Sequence, residues 1–183
     1  MTGENAVTLD DLFRELDEFR EPIPLEVLGD WMERTDCPIS CVEPYIRFHP
    51  DHYLRNLMRS GPGYQALVLC WKAGQRSPIH DHWGSSCAVR VLRGTATETM
   101  FERTPEGHVF PVSSRFLREG STTLSASDDI HQVSNLQPES RELITLHVYS
   151  PALLTMNVFS LTDETISQFH DPINMEFVGG AGI

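Results

Sequence analysis

The repeat of apolar positions changes partway along the chain. Near the N-terminus Leu9, Leu12, Phe13, Leu16 and Phe19 recur at the spacing that gathers side chains on one face of a helix. Thr8 and Asp11 at the head of that run read as a capping box, each side chain taking a backbone N–H that the first turn leaves unpaired. After the break "EPIP", the run "LEVLGDWMER" predicts a second short helix. From about residue 44 the period falls to two. "HYLRNLM" puts Tyr53, Arg55 and Leu57 on one face and Leu54, Asn56 and Met58 on the other. "GPG" then marks a turn before "YQALVLCW", a nearly continuous apolar strand. "SCAVRVL", "TATETMFE", "RFLR", "STTL", "HQVSN" and "ELITLHVYSP" follow as further strands, separated by "RG", "PEG", "REG" and "QPES". Many short strands at this spacing predict a mainly β fold, a small barrel or sandwich with helices at its N-terminal end.

The chain has 183 residues, enough for one domain with a sizeable core, and no composition break divides it. The expected organisation is a helical cover over residues 1–43, a β core over 44–160 and a C-terminal extension over 161–183. The last dozen residues, ending "VGGAGI", are expected to be loosely ordered. A formal net charge of −12 argues against nucleic-acid or anionic-membrane binding, since both need a cationic surface. "MTGENAVTLDDLF" lacks the basic and apolar regions of a signal peptide, and no apolar stretch is long enough to span a membrane. The expected setting is therefore the cytoplasm, with Cys37, Cys41, Cys70 and Cys87 as thiols. Cys37 and Cys41 have no second pair with which to complete a zinc ribbon.

The stretch "SPIHDHWGSSC" carries the chemistry. On a strand His80 and His82 project from one face, as two imidazoles converging on an ion must. A lone H-x-H is more simply a core histidine with a hydrogen-bonded neighbour, so the surroundings decide. Gly74, His80, His82, Cys87 and Gly94 make G-x5-H-x-H-x4-C-x6-G, and His131 with Asn135 makes H-x3-N downstream. Asp81 alternates away from the two histidines, and Trp83 is expected to point outward and pack. His49, His52, His108 and His170 have no partners at ligand spacing.

These two blocks resemble the paired signature of the cupin superfamily, which implies a small jelly-roll β-barrel with a metal inside, held here by His80, His82 and His131. Two features depart from the cupin pattern. Cys87 stands where a glutamate ligand would be, and Ala126 and Asp128 replace the usual proline and glycine of the second block. Three neutral imidazoles leave a divalent ion with its full charge and open positions for an anionic ligand. A zinc hydrolase can also be built on three histidines, so the ligands alone do not set the reaction.

The cysteine-for-glutamate exchange, with "YLRNLM", "LVLCW", "SPIHDHWGSSC", "ETMFE", "IHQVSN" and "LHVYSP" in the same order, resembles the cysteine dioxygenases from about residue 45 to 160. The resemblance implies Fe(II) as cofactor, L-cysteine and O2 as partners, and cysteine sulfinic acid as product. It also implies a thioether between Cys87 and Tyr149, a His147 that hydrogen-bonds the Tyr149 hydroxyl, and Thr145 completing a hydroxyl–imidazole–phenol relay. Ser150–Pro151 matches a cis peptide. Arg55, with Tyr53 beside it, matches the residue that binds the substrate carboxylate. Chemistry supports that role independently, because a guanidinium offers a planar fork to a carboxylate, each charge-assisted bond contributing on the order of 1.5–3 kcal/mol. Two rivals remain: a relative acting on 3-mercaptopropionate or another thiol acid, and a metal-binding cupin without oxygenase activity. Arg55 favours cysteine over the first. A monomer is expected.

Overall fold

A computed structural model describes residues 7–171; the expectation of a loose C-terminus falls on residues outside these. Thr8 opens α1 (Leu9–Leu16) through the anticipated capping box: its hydroxyl accepts from the Asp11 amide at 3.1 Å, and the Asp11 carboxylate accepts from the Thr8 amide at 3.0 Å. α2 (Leu25–Arg34) follows, and two-residue strands β1 (Val7–Thr8) and β2 (Thr35–Asp36) pair in parallel to tie the start of α1 to the end of α2. Two 3-10 turns, Ile39–Cys41 and Glu43–Tyr45, lead into the sheets.

The remaining strands are β3 (Leu54–Ser60), β4 (Gln65–Trp71), β5 (Ile79–His80), β6 (Ser86–Arg93), β7 (Thr95–Arg103) and β8 (Val109–Arg118). They continue with β9 (Thr122–Ser125), β10 (Ile130–Ser134), β11 (Leu143–Ser150), β12 (Thr155–Phe159) and β13 (Ile166–His170). They form two antiparallel sheets in a jelly-roll arrangement. One has the order β3-β4-β11-β6-β9 and the other β13-β12-β5-β10-β7-β8. Three strands exceed the pattern read from the sequence: β8 begins well before "RFLR", and β12 and β13 extend the second sheet, β13 lying past residue 160.

Burial on both faces explains the continuous apolar run in β4 and the mostly apolar β11. Ala66, Val68, Cys70, Ile144, Leu146 and Val148 face outward to meet Leu12, Leu16, Leu28 and Met32 of the helices. Leu67, Leu69, Trp71 and Leu143 face inward with Val89, Val133 and Met156. Both faces of both strands are buried, so β4 shows no exposed polar stripe, while the inner face of β11 carries the buried polar residues Thr145 and His147. Burying each large side chain is worth roughly 1.5–3 kcal/mol, and the helical cover therefore holds the rear of the five-stranded sheet rigid. Gly94 makes the turn from β6 to β7 with φ 85°, and a Cβ there would lie 2.6 Å from the Glu142 carbonyl oxygen. No helix among the described residues is long and apolar enough to cross a membrane.

Candidate metal centre

The inner faces of the two sheets bring the histidines together. His80 ends β5 and is directly opposite His131 of β10, while His82 follows β5 and is anchored by its amide donating to the Ser127 carbonyl at 3.1 Å. The three side chains are buried, and one nitrogen of each lies within 4.8 Å of the others. His82 Nε2 and His131 Nε2 are 3.2 Å apart.

Neighbouring groups aim these nitrogens inward. His131 Nδ1 donates to Glu98 Oε1 at 3.1 Å and His80 Nδ1 donates to the Pro78 carbonyl at 3.0 Å, leaving both Nε2 lone pairs toward the centre. His82 Nδ1 is buried with no hydrogen-bond partner among the described residues. Burial and the neighbouring imidazoles push His80 down to about 3 and hold His82 well below the usual histidine range, so both are neutral at physiological pH. Buried, neutral, convergent imidazoles fit a divalent transition-metal ion.

Glu98 was not singled out by the sequence. It is an inward-facing charge on β7, almost fully buried; burial raises its pKa, but His131 and Arg115 outweigh that and hold it below the ordinary value. Arg115 reaches it from β8, Nε donating at 2.8 Å. The signal in the sequence was a glutamate at an inward position of "TATETMFE".

The other candidates surround the same chamber. On the inner face of β11, Thr145 Oγ1 lies 2.9 Å from His147 Nε2, and His147 Nδ1 lies 3.1 Å from the Tyr149 hydroxyl. Trp71 Nε1 donates to Thr145 Oγ1 at 3.1 Å. An indole can only donate, so the Thr145 oxygen accepts there and its own proton is best used on His147 Nε2. His147 then carries its proton on Nδ1 and donates to Tyr149, whose O–H remains free to donate into the chamber. The rings of Tyr149 and His82 stand edge-on with centroids 5.5 Å apart. Burial holds the Tyr149 phenol and the Cys87 thiol above their ordinary pKa values, and His147 well below its own. Cys87 of β6 is directly opposite Tyr149 in register, with Sγ 3.9 Å from His147 Nδ1.

Arg55 and Tyr53 reach the chamber from β3 and its approach, and Tyr53 stacks on Trp71 at 4.1 Å. Arg55 Nη1 lies 3.5 Å from the Tyr149 hydroxyl, and its Nε and Nη2 both donate to Asp171 Oδ2, at 3.0 and 2.8 Å. Burial opposes the Arg55 charge, but Tyr149, Asp171 and Tyr53 outweigh it and raise its pKa. Asp171 was not foreseen. Trp83 corrects an expectation: it points outward but does not pack, standing 56% exposed on left-handed backbone (φ 42°). Asp81 imposes that turn, its carboxylate accepting from the Trp83 amide and from Asn157. Asp81 is absent from the histidine cluster, and Ser150–Pro151 is cis. Cys37, Cys41 and Cys70 are free thiols and are not members of the histidine cluster.

The family model described as cysteine dioxygenase type I matches residues 4–162. Cysteine dioxygenase type 1 of Bos taurus is 30% identical over 179 residues, covering 92% of this chain and 89% of the relative. The Homo sapiens protein of the same name is 31% identical over 158 residues, covering 83% and 78%. Among solved structures, a double-stranded β-helix protein from Klebsiella pneumoniae aligns over 60% of this chain and 81% of its own, with TM-score 0.50 and 19% identity. A Thermus thermophilus protein aligns over 61% and 94%, with TM-score 0.51 and 17% identity. Both speak to the fold alone, the cupin-type jelly roll.

Proposed function

The chain belongs to the cysteine dioxygenase family, and from that premise we propose that it is an Fe(II) thiol dioxygenase converting L-cysteine and O2 to cysteine sulfinic acid. The observation that carries this reading is the position of Tyr149: its hydroxyl is held by His147, its ring touches His82, and Arg55 stands beside it. A metal-binding cupin without oxygenase chemistry has no need of such a phenol.

His80, His82 and His131 would hold the iron, which when bound supplies the redox chemistry toward O2 that side chains lack. Arg55 binds the substrate carboxylate, with Tyr53 packed beside it, and so fixes the sulfur relative to the three histidines. Thr145 and His147 keep the Tyr149 hydroxyl directed into the chamber, where it donates a hydrogen bond to charge developing on oxygen. The inward apolar side chains around Leu67, Leu69 and Val133 exclude water from the reacting groups. Cys87 and Tyr149 become joined as a thioether, a two-electron oxidation in which the thiol and the ring each lose a hydrogen and O2 accepts the two electrons and two protons; mass spectrometry of linked peptides reads it directly. The catalytic unit is one domain with residues 1–43 as its cover, working as a cytoplasmic monomer on free small molecules.

The test is O2 uptake by anaerobically prepared, Fe(II)-loaded protein offered L-cysteine and 3-mercaptopropionate side by side. Faster uptake with L-cysteine supports the proposal. Preference for 3-mercaptopropionate keeps the dioxygenase and overturns the substrate; no uptake with either, iron being bound, overturns the oxygenase.

A further inference from the structure

Two cavities meet at Arg55. The chamber around the three histidines has only about 10 Å³ of free space, room for no more than about one water molecule. Outside it lies a vestibule of about 530 Å³, bordered by His52, Met156, Phe169 and Asp171. Arg55 and Tyr53 border both, so the guanidinium is part of the partition between them. A thiol amino acid cannot enter the chamber unless that partition moves.

Asp171 closes the partition. It directly follows β13, its side chain is fully buried, and its carboxylate takes the Nε–Nη2 edge of Arg55. That edge is one of the two on which a guanidinium offers a carboxylate two parallel donors, and Asp171 takes both with one oxygen. β13 itself is exposed at every residue and, among the described strands, hydrogen-bonds to β12 alone. Asp171 is thus the buried end of an otherwise exposed strap, which its amide also pins to the Leu154 carbonyl at 3.1 Å. Such a segment opens at lower cost than the strands of the core.

Resting on the thiol dioxygenase reading, we infer that Asp171 is an internal stand-in for the substrate carboxylate. It occupies the fork of Arg55 in the free enzyme, and the carboxylate of an incoming thiol exchanges for it, releasing Asp171 and β13 outward. Exchange leaves Arg55 neutralised before and after. Adding a second carboxylate without exchange would set two like charges on one guanidinium in a poorly screened site. The latch therefore selects small thiols that carry a carboxylate; cysteamine, which has none, does not release it.

Hydrogen exchange of the full-length, metal-loaded protein under anaerobic conditions reads the strap directly. Saturating L-cysteine raises exchange across residues 166–171, and cysteamine leaves it unchanged. Asp171→Asn, close to isosteric, raises strap exchange without ligand and lowers the KM for L-cysteine about tenfold, the factor that 1.4 kcal/mol gives. Asp171→Glu retains the wild-type KM. An unchanged or higher KM in Asp171→Asn, as expected if Asp171 merely positions Arg55, overturns the latch. So does strap exchange that does not respond to L-cysteine. A wild-type protein that turns over neither L-cysteine nor 3-mercaptopropionate refutes the dioxygenase reading separately, because the exchange measurement needs no turnover.

Discussion

Glu98 gives the most direct handle on the histidine cluster. Its Oε1 accepts from His131 Nδ1 at 3.1 Å, and its other oxygen accepts from Arg115 Nε at 2.8 Å. Glu98→Gln keeps the size and a neutral acceptor but removes the charge. The loss is then the difference between a charge-assisted and a neutral hydrogen bond, about 1–2 kcal/mol, which weakens metal binding roughly 5- to 30-fold. The fold should suffer little, because the Arg115 side chain is 55% exposed and hydrates freely once unpaired. Competition of the metal-free protein with a chelator measures the affinity, and urea unfolding checks the fold. A dissociation constant within twofold of wild type, with stability intact, would refute the claim that Glu98 sets the direction and basicity of His131.

Tyr149→Phe should lower kcat while iron content stays at the wild-type level, and its unfolding free energy should fall by about 1 kcal/mol, the net worth of one buried hydrogen bond. A variant with unchanged kcat would remove Tyr149 from the chemistry. Arg55→Lys replaces a fork by a point charge; losing one charged hydrogen bond should raise the KM for L-cysteine roughly 10- to 150-fold, and steady-state kinetics showing no rise would discard the carboxylate role. At the N-terminus, bonds from Thr8 and Arg14 depress the Asp11 carboxyl from 3.8 to about 2. A depressed folded-state pKa means stability that is present above pH 3.8 and lost as pH falls toward 2. Urea midpoints of wild type and Asp11→Ala should therefore differ at pH 6 and converge near pH 2; a gap that persists there would contradict the capping account.

Strand spacing made only part of the metal centre legible; His131 and the roles of Cys87, Thr145, His147 and Tyr149 came from the resemblance to cupins and cysteine dioxygenases. His80 and His82 share a face, Thr145, His147 and Tyr149 share another, and the β6–β11 register brings Cys87 opposite Tyr149. What escaped were partners made across the chain. Glu98 meets His131 through the pairing of β7 with β10, and Asp171 meets Arg55 only after the chain has passed through both sheets. No local pattern distinguishes either from a solvated acid. The first part of β8, before "RFLR", escaped for a different reason: seven consecutive residues, Phe110 to Phe116, are exposed, so that stretch shows no buried face on which alternation could register. Trp83 misled because an aromatic beside a ligand suggests packing, whereas the Asp81 turn swings it into solvent.

The central claim is that this site inserts both atoms of O2 into the sulfur of L-cysteine. The measurement that tests it most directly is product analysis after turnover of Fe(II)-loaded protein with L-cysteine under isotopically labelled O2 in ordinary water. The account requires cysteine sulfinic acid with both oxygens labelled on sulfur. Sulfinate carrying one labelled and one water-derived oxygen, or disulfide as the sole product, would contradict it.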